Sequence, residues 1–119
     1  MIDAAFASNF AREWVEAWNS HDLSRILFHY TDDFEMSSPV IIQIAGGASG
    51  TLKGKEAVSA YWAKALGLIP DLRFQLISTL VGINSITLYY KGARERLAAE
   101  VFHFDENGKV EKAFAHYAS

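Results

Sequence analysis

One carboxylate is isolated by the alternation of residues 95–105. In an extended strand Arg96, Ala98, Glu100, Phe102 and Phe104 share one face, and Leu97, Ala99, Val101 and His103 share the other. If Asp105 pairs with Gly108 across the turn, Glu100 stands opposite Ala113, Ala98 opposite Ala115 and Arg96 opposite Tyr117. If that face is the inner one, a carboxyl among alanines and beside Phe102 loses hydration, and its pKa rises toward the range that an acid or proton relay requires. Glu100 is therefore the candidate catalytic residue. The competing reading pairs Glu100 with Arg94 or Arg96 at the open end of the sheet.

Other residue types define what could surround that acid. Trp14 and Trp18 fall on one helical stripe, and a buried indole N–H seeks a hydrogen-bond partner. Phe34, Met36, Trp62, Phe74, Leu88, Tyr90, Phe102 and Tyr117 form an interior aromatic-rich set that can be core, pocket wall, or both. Metal chemistry finds no support. There is no Cys, His21 is assigned to a turn and His29 to a solvated helix face. His103 and His116 point to the outer sheet face, six residues apart in this register, or roughly 20 Å. Asp32, Asp33 and Glu35 alternate in direction, which suits capping and solvation better than a cation site. The glycines of 46–54 lack the phosphate-loop pattern, with Ser49 five residues before Gly54 and Glu56 after Lys55. That stretch reads as a pocket lid or plain flexible loop.

The elements that must position these residues divide the chain in two. Phe6, Phe10, Trp14, Ala17 and Trp18 mark a helix from about Asp3 to Asn19. Asp22 caps a short second helix carrying Leu23, Ile26, Leu27 and Tyr30. Phe34–Ser38 alternates as a strand ended by Pro39, and β-branched Val40–Ile44 is expected to be extended. A glycine-rich loop follows over 45–50. A third helix opens at Gly54, buries Val58, Tyr61, Trp62, Ala65 and Leu66, and stops at Gly67 and Pro70. From Asp71 the period becomes two, predicting strands at about 71–81, 84–91, 95–105 and 109–118 in a meander, with an Asn107–Gly108 hairpin turn. The expectation is a single α+β domain over 1–119, with three helices on one face of a curved antiparallel sheet.

Composition bounds the function. The 119 residues are 50% hydrophobic and 13% aromatic, too rich in aromatics for disorder. A net charge of −3 argues against nucleic acid as partner. No apolar run approaches the ~20 residues of a membrane span, and Met1–Phe10 lacks a secretory pattern. A cytoplasmic location is the expectation.

Several segments then fall into one family order: Glu13–Asn19 with Asp22-Leu23, Tyr30–Asp33, Gly54–Val58 and Phe104–Val110. Their order resembles the nuclear-transport-factor-2-like superfamily, and within it the ketosteroid-isomerase and SnoaL-like branch. The resemblance spans nearly the whole chain. It implies a cystatin-like, cone-shaped sheet wrapped around the first helix, an apolar pocket between them, and a homodimer. It also implies that the face carrying Glu100 is the concave, pocket-lining one, and that Glu100 matches the protonated acid of the ketosteroid isomerases, with Glu in place of Asp. Tyr30 matches a supporting tyrosine. Two departures follow: Ser38-Pro39 stands where the isomerases carry an Asp-Pro base, and Trp14 stands where they carry an oxyanion-holding tyrosine. Steroid isomerisation by that mechanism is therefore not expected. An epoxide-hydrolase-like reading of Arg94, Arg96 and Glu100 lacks its second acid.

Taken together, the expected ligand is a small hydrophobic carbonyl or polycyclic compound. Expected contacts are Trp14, Tyr30, Phe34, Met36, Ser38, Trp62, Phe74, Leu88, Tyr90, Phe102, Ala113 and Tyr117. No metal or organic cofactor is implied. Val101, Phe114 and Leu97 give an apolar outer sheet face suited to a dimer. The alternative is a non-catalytic ligand-binding or dimerisation module of the same fold.

Overall fold

The computed structural model of the chain describes residues 2–46 and 49–119. Helix α1 (Ala4–Ser20) begins where Asp3 accepts a hydrogen bond from the Phe6 N–H at 2.8 Å, and ends where His21 turns left-handed. Its buried stripe is Ala7, Phe10, Ala11, Trp14, Ala17 and Trp18, the spacing of three and four read from the sequence. Asp22 caps α2 (Leu23–Leu27), accepting from the Arg25 N–H at 3.3 Å. Strand β1 (Tyr30–Ser37) follows.

The segment expected to be extended, Val40–Ile44, is instead helix α3 (Pro39–Ala45). The Ser38 hydroxyl accepts the Val40 N–H at 3.1 Å and Pro39 opens the helix. Capping plus a proline start outweighs the strand preference of β-branched residues. The described residues thus form four α-helices rather than three, counting α2 and α4 (Lys55–Leu68). The stretch expected to be a loop also contains β2 (Thr51–Lys53), antiparallel to β1 through Met36 opposite Leu52. Gly47 and Ala48, in the middle of the expected lid, lie outside the described residues.

The second half forms β3 (Gln75–Val81), β4 (Ser85–Lys91), β5 (Leu97–Phe104) and β6 (Val110–Tyr117), an antiparallel meander as expected. β3 starts four residues later than the period-two pattern suggested. Asn19 explains part of this: its side chain accepts the Phe74 N–H at 2.7 Å and donates to the Phe74 carbonyl at 3.0 Å, taking the place of a strand partner. The six strands run in the order β2-β1-β6-β5-β4-β3. β1 lies parallel to β6, so the sheet is mixed and not wholly antiparallel. α1 crosses its inner face. Phe10 meets Phe102 and Phe104 edge-on at centroid distances of 5.0 and 4.9 Å, and Trp14 meets Phe102 at 5.4 Å.

The register of β5 on β6 differs from expectation by two residues. Glu100 pairs with Ala115, Ala98 with Tyr117 and Phe102 with Ala113. One residue enters at the turn, which closes through Asp105 and Lys109 with Gly108 at φ +77°. Another enters at a β-bulge where the partner changes from Lys112 to Val110. Because side chains alternate, a shift of two keeps Glu100 on the inner face. The same shift brings His103 and His116 to four residues apart, about 13 Å along the strands.

Candidate functional site

A cavity of about 950 Å³ opens between α1, α3, α4 and the nearby ends of β4, β5 and β6. Trp14 and Trp18 from α1, Tyr61 and Trp62 from α4, Phe74 before β3 and Tyr90 from β4 give it aromatic walls. Trp14 stacks on Phe74 at 5.2 Å, and Trp18 meets Trp62 edge-on at 5.1 Å. α3 adds Val40, Gln43 and Ile44, which makes the mis-expected helix part of the site. Exposed Leu68, Arg94, Glu95, Arg96 and Ser119 mark the mouth.

Glu100 lines the inner part of this cavity and is only 4% exposed. No cation lies within salt-bridge distance of it among the described residues, so the alternative pairing with Arg94 or Arg96 is not formed. Among the described residues its one hydrogen-bond partner is the Tyr90 hydroxyl, which donates to Oε1 at 3.2 Å. Burial pushes its carboxyl up to about 7, and the Tyr90 hydrogen bond opposes that rise. Oε2 has no hydrogen bond and is absent from the sealed, unpartnered atoms, Trp18 Nε1 and His29 Nε2. It therefore faces the cavity.

Tyrosines surround the acid. Burial raises the pKa of Tyr30, Tyr61, Tyr90 and Tyr117, and the nearby Glu100 charge raises each further. All four are neutral phenols near pH 7, fit to donate hydrogen bonds but not to act as bases. Ser38 approaches Tyr61 and Tyr117 closely enough to hold both phenols below the value that burial alone would give. Behind the wall, Trp14 Nε1 donates to the Tyr30 hydroxyl at 3.1 Å.

The residues singled out from sequence thus divide. Glu100, Trp14, Met36, Trp62, Phe74, Tyr90 and Tyr117 line the cavity. Tyr30, Phe34, Leu88, Phe102 and Ala113, expected as contacts, are packed core at 2% exposure or less; Trp14 of α1 covers Phe102, and Trp62 of α4 covers Tyr30 and Phe34. Ser38 is buried one layer behind, occupied in capping α3. Tyr61 was not singled out as a site residue. It shares the buried face of α4 with Trp62, and helical periodicity cannot separate wall from core. His29 is half-buried against Phe10 at 5.8 Å and not solvated, and burial lowers its pKa. His21 caps α1 and bonds the Leu72 carbonyl at 2.7 Å. Among the described residues no group of three His, Asp or Glu side chains gathers at metal-binding distance.

The family model for the SnoaL-like domain matches residues 11–113. The chain belongs to the SnoaL-like family. A SnoaL-like protein of unknown function from Burkholderia thailandensis E264 is 59% identical, with a TM-score of 0.96 over 99% of this chain and 98% of that one. Two more distant structures share the fold alone. A candidate isomerase of the SnoaL-like family from Agrobacterium tumefaciens C58 is 14% identical, with a TM-score of 0.77 over 97% and 99% of the two chains. AclR, a candidate hydroxylase from Streptomyces galilaeus, is 19% identical, with a TM-score of 0.75 over 97% and 80%. The comparison with curated proteins found no match. In this SnoaL-like chain no described helix is long and apolar enough to cross a membrane.

Proposed function

We propose that this SnoaL-like domain binds a small hydrophobic carbonyl or polycyclic compound in its cavity, with Glu100 as acid or proton relay of an isomerase- or cyclase-type reaction. The observation that carries this reading is a buried, unpaired carboxyl with one free oxygen facing the cavity and a pKa of about 7. A group titrating there is poised to give and take a proton near neutral pH. Tyr90 and Tyr117 flank it as neutral donors for a ligand oxygen. The reading needs no metal or organic cofactor.

One observation favours a second reading, a non-catalytic binder. Ser38 is committed to the α3 N-cap and cannot serve as a base. The two are separated by a thermal-shift panel of steroids, polycyclic aromatics, terpenoids and fatty acids, followed by Glu100→Gln. A ligand at about a hundred times its Kd raises stability by about 2.7 kcal/mol. Loss of turnover in the variant with affinity retained supports the acid role; full turnover in the variant overturns it. Absence of any shift would overturn ligand binding in both forms. A homodimer through the outer sheet face belongs to the same proposal, supported by the apolar Leu97, Val101 and Phe114 on that face.

A further inference from the structure

The mouth of the cavity carries charge that the aromatic walls do not explain. Arg94 and Arg96 both line it, and among the described residues neither has a carboxylate within salt-bridge distance. Arg96 is anchored: its Nε donates to the Ala118 carbonyl at 2.9 Å, and its guanidinium lies 5.0 Å from the centre of the Tyr117 ring. Its remaining N–H groups have no acceptor among the described residues. Arg94 is held differently. It sits at φ 55°, ψ 32°, followed by Glu95 at φ 63°, in a tight turn closed by the Arg96 N–H on the Ala93 carbonyl at 3.1 Å. A turn with two left-handed central residues ordinarily takes Asn or Gly. Here both positions carry long charged side chains in a strained backbone, and the first of them lines the cavity rim. Such strain gathers where placement matters for a ligand. Glu95 lies at the same rim, so the charged side chains there are two guanidinium groups and one carboxylate.

We infer that the ligand is an amphipathic organic anion, its apolar body between the tryptophans and its ionised group held at the rim by Arg94 and Arg96. The inference rests on the ligand-binding reading above and narrows its substrate class. Four residues of strand separate Arg96 from Glu100, about 13 Å. An elongated ligand can therefore present its far end to Glu100 while its anion stays at the rim. The Arg94 fork suits a carboxylate, taken in a bidentate grip.

Two fluorescent probes with one ring skeleton test this: anilinonaphthalene sulfonate, which is anionic, and phenylnaphthylamine, which is neutral. All three tryptophans of the chain line the cavity, so either probe bound there quenches their emission, and Ala65→Trp, which fills the cavity, should abolish that quenching while a probe on the outer sheet would be unaffected. The sulfonate is expected to bind about tenfold tighter than the neutral probe. Arg94→Gln should remove that advantage and leave the neutral probe within about twofold, while Arg94→Lys restores part of it and added salt weakens only the sulfonate. Equal affinity for the two probes, or an Arg94→Gln effect shared by both, overturns the anion inference and leaves the cavity reading standing. If neither probe quenches the tryptophans, both readings fall.

Discussion

At the scale of single residues, Glu100 couples stability to pH. Its carboxyl has a folded pKa of about 7 against an ordinary 4.5. Below about pH 4.5 the acid is neutral whether the chain is folded or not, so it imposes no penalty. As pH rises from there through 7, the unfolded chain gains from ionisation while the folded chain is forced to ionise a buried group. Stability is lost across that window and levels off above it. The lost amount is of order 3 kcal/mol. Glu100→Gln keeps the volume and removes the titration. Denaturant melts from pH 4 to pH 8 should show the variant gaining on the parent by that order, and a flat difference would contradict the burial argument. His29 acts in the opposite sense, penalising the fold as pH falls below its ordinary value near 6.5, but both proteins share it and the difference cancels. Alternation places Glu100 on one face with Phe102, and the resemblance to the family marks that face as the inner one. The identity of its partner was not legible in the sequence, because Tyr90 comes from a neighbouring strand whose register no local pattern states.

At the scale of elements, the turn Ala93–Arg96 contains strain that can be relieved. A left-handed backbone costs an ordinary residue about 1–2 kcal/mol, and glycine escapes this cost. Glu95→Gly is therefore expected to stabilise the protein by about 1 kcal/mol, read as a raised unfolding midpoint with unchanged denaturant slope. No change would mean that Glu95 makes contacts which outweigh its backbone. Legibility divides cleanly among the elements. α1, α2, α4 and the β3–β6 meander follow from periodicity, an Asp cap and turn residues, all of them local. α3 was missed because one hydroxyl, Ser38, decides between helix and strand for a segment whose side chains prefer the latter. β2 is three residues long, too short for a period to register, and exists through its pairing with β1.

At the scale of the whole molecule, long-range pairing decides what the sequence withholds. The parallel contact of β1 with β6 joins residues about eighty positions apart and converts the meander into one six-stranded sheet. It also seats Met36 at the cavity, while Tyr30 and Phe34 are left to the core. The opposite face carries Val101 beside Phe114, with Tyr89 and Leu80 exposed further along. That surface is what the proposed homodimer would cover. Phe114→Lys should yield a monomer in sedimentation equilibrium with the fold retained. A parent protein that sediments as a monomer at micromolar concentration would refute the dimer, since nothing would then be covering that face.

The two extra residues of the β5–β6 hairpin, one in the turn and one in the bulge, set a rule for how this segment can change length over descent. Insertions or deletions that come in pairs keep an alanine of β6 beside Glu100 on the inner face. A single one turns over the β6 side chains beyond it, exchanging Ala113 and Ala115 on the inner face for Phe114 and His116. Loss of one turn residue is tolerable only if the bulge disappears with it. Working descendants of this hairpin should therefore differ in length by even steps, and the bulge serves as the slack that makes such steps possible.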